Sequence, residues 1–109
     1  MHAFDVLGDP VRRRILELLS GHELASGQVV EAIATEFSIT QAAVSQHLKV
    51  LRESGFATVR PEGTRRLYSL DTAPLEEVDA WLDHFRIFWT HRLLALGTEV
   101  ARGKKQRRK

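Results

Sequence analysis

The sequence predicts a mainly α fold carrying one small β-hairpin. Three observations predict it. Val11, Ile15, Leu18 and Leu19 repeat at i, i+4, i+7 and i+8, the period of an amphipathic helix. Two further helical patterns are separated only by Ser38, Ile39 and Thr40, a connection as short as that of a helix-turn-helix. After them, two runs rich in Val, Tyr and Leu flank Pro61, Glu62, Gly63 and Thr64, which reads as a hairpin.

Residues 2–7, HAFDVL, form a short apolar segment that suits a helical turn or two packed on a partner. Asp9 and Pro10 read as N-cap and first helical position of a helix that ends near Ser20 and Gly21. A loop through Ser26 and Gly27 leads to a second helix of about ten residues, with Val30, Ile33, Ala34 and Phe37 as its apolar stripe. It stops at Ser38. Many helix-turn-helix units carry glycine at that position because the residue there adopts a left-handed backbone, which a serine tolerates at a cost of about 1 kcal/mol.

Thr40 is the expected N-cap of the third helix, TQAAVSQHLKVLRESG. Val44, Leu48 and Leu51 share one face, while Ala42, Ser45, Gln46 and Lys49 share the opposite one. Small side chains at Ala42 and Ser45 let such a helix enter a DNA major groove. Gln41, Ser45 and Gln46 are then the candidate base readers, glutamine being suited to adenine. Thr40, His47, Lys49 and Arg52 lie where phosphates would be. Glutamine, serine and lysine are also ordinary surface residues, so this face argues for DNA only in combination with the hairpin beyond it. The strands are expected at Ala57–Arg60 and Arg66–Leu70, which puts Arg65 and Arg66 at the hairpin tip. A basic hairpin directly after a recognition helix is the layout of a winged helix, whose wing contacts the sugar-phosphate backbone. Paired arginines can also serve simply to protect an edge strand.

LGDPVRRRILELLS, TQAAVSQHLKVLRESGF and EGTRRLYSL, in this order and spacing, resemble the ArsR/SmtB family of prokaryotic winged-helix repressors. The resemblance runs from residue 4 to about residue 100 and implies a homodimer on double-stranded operator DNA, with two recognition helices in successive major grooves. His47 matches a histidine that recurs in the motif; its flank position favours packing or a phosphate contact over base reading. Metal-responsive members commonly carry cysteines before the recognition helix or near the N-terminus. This chain has no cysteine.

The last helix is expected to run unbroken from near Pro74 to about Ala101, with a stripe at Leu75, Val78, Leu82, Phe85, Trp89, Leu93, Leu96 and Val100 that Trp81, Ile87 and Phe88 widen. So much apolar surface exceeds what one small domain covers, which predicts a dimer interface here, with Phe4 and Leu7 joining it. The segment WLDHFRIFWTHRLLAL resembles the branch of the family containing autorepressors without a known metal site. Some members bind zinc across the dimer, and Asp83, His84, His91 and Glu99 are this chain's only candidates. Their spacing departs from that pattern, and His84 and His91 stand about 10 Å apart along a helix axis, too far for one chain to chelate with both. No metal and no cofactor are expected, and whether a small molecule or metal acts as effector is left open.

The formal charge of +2 is unevenly spread. Arg102–Lys109 holds six basic residues and no acid, leaving ten basic against fourteen acidic residues before it, a net −4. The domain is therefore expected over residues 1–101, with 102–109 a basic, disordered tail. No signal-like or membrane-spanning apolar run is present, so the chain is expected to be soluble and cytoplasmic. There is no glycine-rich phosphate loop, G-x-S-x-G or H-E-x-x-H. Glu76, Glu77, Asp79 and Asp83 suit a solvated helix start, and an enzyme is not expected. The expected function is a sequence-specific transcriptional regulator, most simply a repressor on a pseudo-palindromic operator. The alternatives are a winged-helix protein-association module, or a metal-responsive repressor with a non-cysteine site at the dimer interface.

Overall fold

The computed structural model describes residues 2–90. Expectations for His91, Leu93, Leu96, Glu99, Val100 and the basic tail lie outside those residues. The elements run α1 (Ala3–Leu7), α2 (Pro10–Leu19), β1 (Leu24–Ala25), α3 (Ser26–Phe37), α4 (Gln41–Glu53), β2 (Ala57–Glu62), β3 (Arg65–Leu70) and α5 (Ala73–Leu82). They fall into two units that divide between Val78 and Asp79.

In the first unit, local chemistry starts α2 and α4 and stops α3 where the sequence predicts. Asp9 Oδ1 accepts from the N–H groups of Val11 at 2.8 Å and Arg12 at 3.2 Å, and Pro10, which has no N–H to satisfy, follows it. Ser38 takes the left-handed conformation, φ 55° and ψ 46°. This sharp reversal lets α3 hand over to α4 within three residues. Thr40 caps α4 by accepting from Ala43 N at 3.0 Å.

The core gathers buried side chains from α1 to α4 and from β2 and β3. Val6, Ile15, Leu19, Val29, Ile33, Val44, Leu51 and Phe56 are all shielded from solvent, with Leu16, Leu48, Ala57 and Tyr68 beside them. Within residues 2–7, Ala3–Leu7 form a helix capped by His2, and its Val6 is buried in this chain's own core. Ser26 and Gly27, expected in a loop, instead open α3, because the backbone turns helical directly after β1 and Gln28 Oε1 accepts from Ala25 N at 2.9 Å. This moves Val29 into the core stripe, where it is more deeply buried than Val30, Ala34 or Phe37.

The hairpin belongs to a three-stranded antiparallel sheet in the order β1-β3-β2. β1 is only two residues long and pairs Leu24 with Tyr68 and Ala25 with Leu67. β2 and β3 are longer than predicted, with Pro61 opposite Arg66 and Glu62 opposite Arg65. Proline is tolerated in β2 because that strand is a sheet edge. The turn is reduced to Gly63 and Thr64, with φ of 62° at Gly63, a value glycine adopts without strain at the first position of a two-residue turn.

The unbroken last helix is corrected. α5 ends at Leu82, residues 83–85 form a turn, and helix resumes over 86–90. At the break the backbone bonds tighten to i→i−3 spacing, from His84 N to Trp81 O at 3.2 Å and Phe85 N to Leu82 O at 2.9 Å. Side chains reinforce it: Arg86 donates to the carboxylates of Asp79 and Asp83, and His84 Nδ1 lies 2.8 Å from Trp81 O. Asp and His are weak helix formers, so the apolar period across this segment overstated its continuity.

Candidate nucleic-acid interface

α4 is amphipathic in the sense a DNA-reading helix requires. Val44, Leu48 and Leu51 are buried, and this anchors the helix. Gln41, Ala42, Ser45, Gln46 and Lys49 are exposed on its outer side. Among the described residues, the side chains of Gln41, Ser45, Gln46 and Lys49 make no hydrogen bond or ion pair, so their donors and acceptors are available to a ligand without loss of internal bonds. Arg52 is half-buried and lies 4.0 Å from the Glu53 carboxylate.

His47 sits at the boundary of this face, half-buried, with Nδ1 3.4 Å from Arg12 Nη1. Arg12 is the centre of a cluster that no sequence motif signals. Its Nε donates to Val6 O at 3.0 Å and its Nη2 to Asp5 O at 2.9 Å, satisfying the last carbonyls of α1. Asp9 Oδ2 stands 4.0 Å from Nη1. Burial acts to raise the Asp9 carboxyl pKa. The N–H groups of Arg12 and Val11, with the Arg12 charge beside them, outweigh it and hold the pKa below the ordinary value. Arg13 donates to Leu7 O at 2.7 Å, and Arg14 pairs with Glu36 and Glu17. The basic run Arg12–Arg14 is thus spent on internal structure.

The wing projects two arginines in different states. Arg65 donates to Glu62 at 2.8 Å. Arg66 is exposed and has no hydrogen bond or ion pair among the described residues. The base of the wing is fastened by Arg60, which donates from Nε and Nη2 to the two oxygens of Glu23, each at 2.9 Å, while Ser69 Oγ donates to Glu23 at 3.2 Å. The Arg60 hydrogen bond is the main reason the Glu23 carboxyl is held below its ordinary pKa. Neither Glu23 nor Arg60 carries a sequence signal of this role, because they stand 37 positions apart.

Of the residues predicted for a dimer contact, Leu7, Leu75, Val78 and Leu82 are half-buried, and Phe4, Phe85 and Trp89 are exposed. Trp81, Ile87 and Phe88 are more open still, at 47%, 56% and 66% of their surface. Trp81 and Phe85 pack ring against ring, 4.8 Å between centroids. Among the described residues no three His, Asp or Glu side chains converge as a metal site would require, and no helix is long and apolar enough to cross a membrane.

Comparison with known proteins agrees with this geometry. Residues 9–59, from the α2 cap into the wing, match the family model described as bacterial regulatory protein, arsR family. The HTH-type transcriptional regulator Rv2034 of Mycobacterium tuberculosis is 41% identical over 91 residues, covering 84% of this chain and 78% of the relative. The transcriptional repressor SdpR of Bacillus subtilis is 31% identical over 84 residues, covering 77% of this chain and 89% of the relative. The crystal structure of a possible transcriptional regulator for arsenical resistance superposes with TM-score 0.65 at 37% identity, over 90% of this chain and 98% of that one. A recognition helix, a wing and these relatives lead to one conclusion: the chain belongs to the ArsR family of bacterial regulatory proteins, as a DNA-binding transcriptional regulator and not an enzyme.

Proposed function

We propose that the protein is a homodimeric cytoplasmic repressor that occupies a pseudo-palindromic operator, with α4 in the major groove and the wing on the flanking backbone. The observation that carries this is the outer face of α4, where Gln41, Ser45, Gln46 and Lys49 are exposed and make no internal bonds among the described residues. Gln41, Ser45 and Gln46 read base edges, and Ala42 keeps the helix close to them. Thr40, His47, Lys49, Arg52, Arg65 and Arg66 bind phosphates, which fix register and supply most of the salt-dependent affinity. Repression follows from occupancy of the operator, and the relative SdpR is named a transcriptional repressor.

The dimer is supported by the exposed aromatic surface at Trp81, Phe85, Phe88 and Trp89, with Phe4, Leu7, Leu75, Val78, Leu82, Leu93 and Leu96 completing the interface. Half-sites then lie one helical turn apart, about 34 Å, or a multiple of it. Footprinting on the protein's own promoter tests the reading. Two protected half-sites with inverted symmetry are expected, and Gln46→Ala should relax sequence preference. Arg66→Ala should weaken binding to all duplexes alike and lower the salt slope by about one. Identical behaviour of the two variants would refute this division of roles. Sedimentation of the free protein as a monomer at micromolar concentration would refute the dimer.

A further inference from the structure

Arg12 lies outside the face assigned to DNA, yet its side chain links α2, on which it sits, to α1 and to the recognition helix by hydrogen bonds. Its guanidinium is held at three points, Val6 O at 3.0 Å, Asp5 O at 2.9 Å and His47 Nδ1 at 3.4 Å. Only 13% of its side-chain surface is exposed. A guanidinium has donors and no acceptor. His47 Nδ1 must therefore be the accepting nitrogen, which places the single ring proton of the neutral imidazole on Nε2. The groups facing His47 here are Arg12 of α2 and Asp9, the α2 N-cap, with the Asp5 and Val6 carbonyls of α1 already occupied by Arg12.

We propose that Arg12 is a positioning residue for DNA binding: by donating to His47 Nδ1 it fixes the ring's tautomer and orientation, so that Nε2–H is presented as a donor to a backbone phosphate at the flank of α4. The proposal rests on the reading of α4 as the DNA-facing helix. It accounts for a half-buried histidine on that helix, and it makes the end of α1 and the presentation of His47 depend on one guanidinium. Lysine cannot replace it. An ammonium keeps the charge but lacks the planar fork needed to serve two carbonyls and a ring nitrogen together.

The test is a double-mutant cycle in operator affinity, using the duplex recovered by footprinting, with Arg12→Lys, His47→Ala and the combination. His47→Ala is expected to weaken binding about tenfold, the scale of one lost phosphate hydrogen bond. Arg12→Lys should weaken it about fivefold when His47 is present and less than about twofold when it is absent. Thermal melting of the same proteins reports the structural part of Arg12's role, which should be lost equally in both backgrounds. Equal affinity losses in both backgrounds, or none, would overturn the positioning role. The wild-type protein supplies an independent readout through ring ¹⁵N NMR at neutral pH. An unprotonated, hydrogen-bonded Nδ1 on His47 supports the proposal, and a protonated Nδ1 overturns it even if every variant fails to fold. Failure of the wild type to bind any duplex at low salt would overturn the α4 reading beneath it, whereas binding without coupling overturns the role of Arg12 alone.

Discussion

Thr40 carries two separable duties, and substitution there can measure each. Its Oγ1 accepts from Ala43 N at 3.0 Å and satisfies one of the unpaired donors at the start of α4. Thr40 is exposed, so in Thr40→Ala the freed N–H turns to water. The loss is then about 1 kcal/mol rather than the larger penalty of a buried unsatisfied donor. For a domain of this size that lowers Tm by about 4–8 °C. Thr40→Asp restores the cap, and its negative charge suits the positive end of the helix, so stability should return to within about 0.5 kcal/mol of wild type. On DNA the same carboxylate meets phosphate. Repulsion at about 5 Å in a water-like dielectric contributes about 1 kcal/mol, and the lost hydrogen bond from the hydroxyl another 1 kcal/mol or so. Together they weaken binding about thirtyfold per protomer. Urea denaturation followed by circular dichroism and fluorescence anisotropy on the operator duplex read the two quantities. If Thr40→Asp binds DNA as well as wild type does, the N-terminus of α4 does not face phosphate. Should Thr40→Ala unfold at the wild-type urea midpoint, the capping argument is wrong.

The geometry sets three further outcomes. Glu62→Gln releases Arg65 from its 2.8 Å partner and removes a negative charge from the wing, so operator affinity at low salt should rise about twofold to fivefold; unchanged affinity in a titration would place Arg65 away from DNA. Phe56→Ala empties the site of a fully buried ring and should cost about 3–5 kcal/mol, a large share of a small domain's stability, visible as a collapse of the urea midpoint. The Asp9 carboxyl is held below its ordinary pKa, so its stabilising contribution is complete at neutral pH and is lost as pH falls below about 4 towards its folded value. Asparagine also caps helices well, so the stability gap between wild type and Asp9→Asn should narrow between about pH 7 and pH 3, and a constant gap would contradict the assignment.

Much of this protein is legible in the sequence because its local rules act over one or two helical turns. The Asp9-Pro10 start, the left-handed Ser38, the Thr40 cap and the buried Val44, Leu48 and Leu51 all depend on neighbours within about four residues. The exposed face of α4 follows directly from that buried one. Other features depend on distant or ambiguous neighbours. β1 has two residues, too few to show alternation, and exists only because Tyr68 and Leu67 pair with it from more than forty positions away. The break at residues 83–85 is hidden because apolar spacing of three and four is the same whether the backbone bonds close at i−4 or tighten to i−3.

Which side of α4 turns outward is already written in the chain, since an amphipathic pattern names its own two sides. How the charges are used emerges only on folding. Arg12, Arg13 and Arg14 look as basic in the sequence as Arg65 and Arg66 do, yet the first three are committed to α1 carbonyls, to His47 and to Glu36 and Glu17. Arg65 is partnered within the wing, and Arg66 alone of the five has no partner among the described residues. A charge in a sequence has a position but no counter-ion. Its neighbours within hydrogen-bonding reach are set by how distant segments pack.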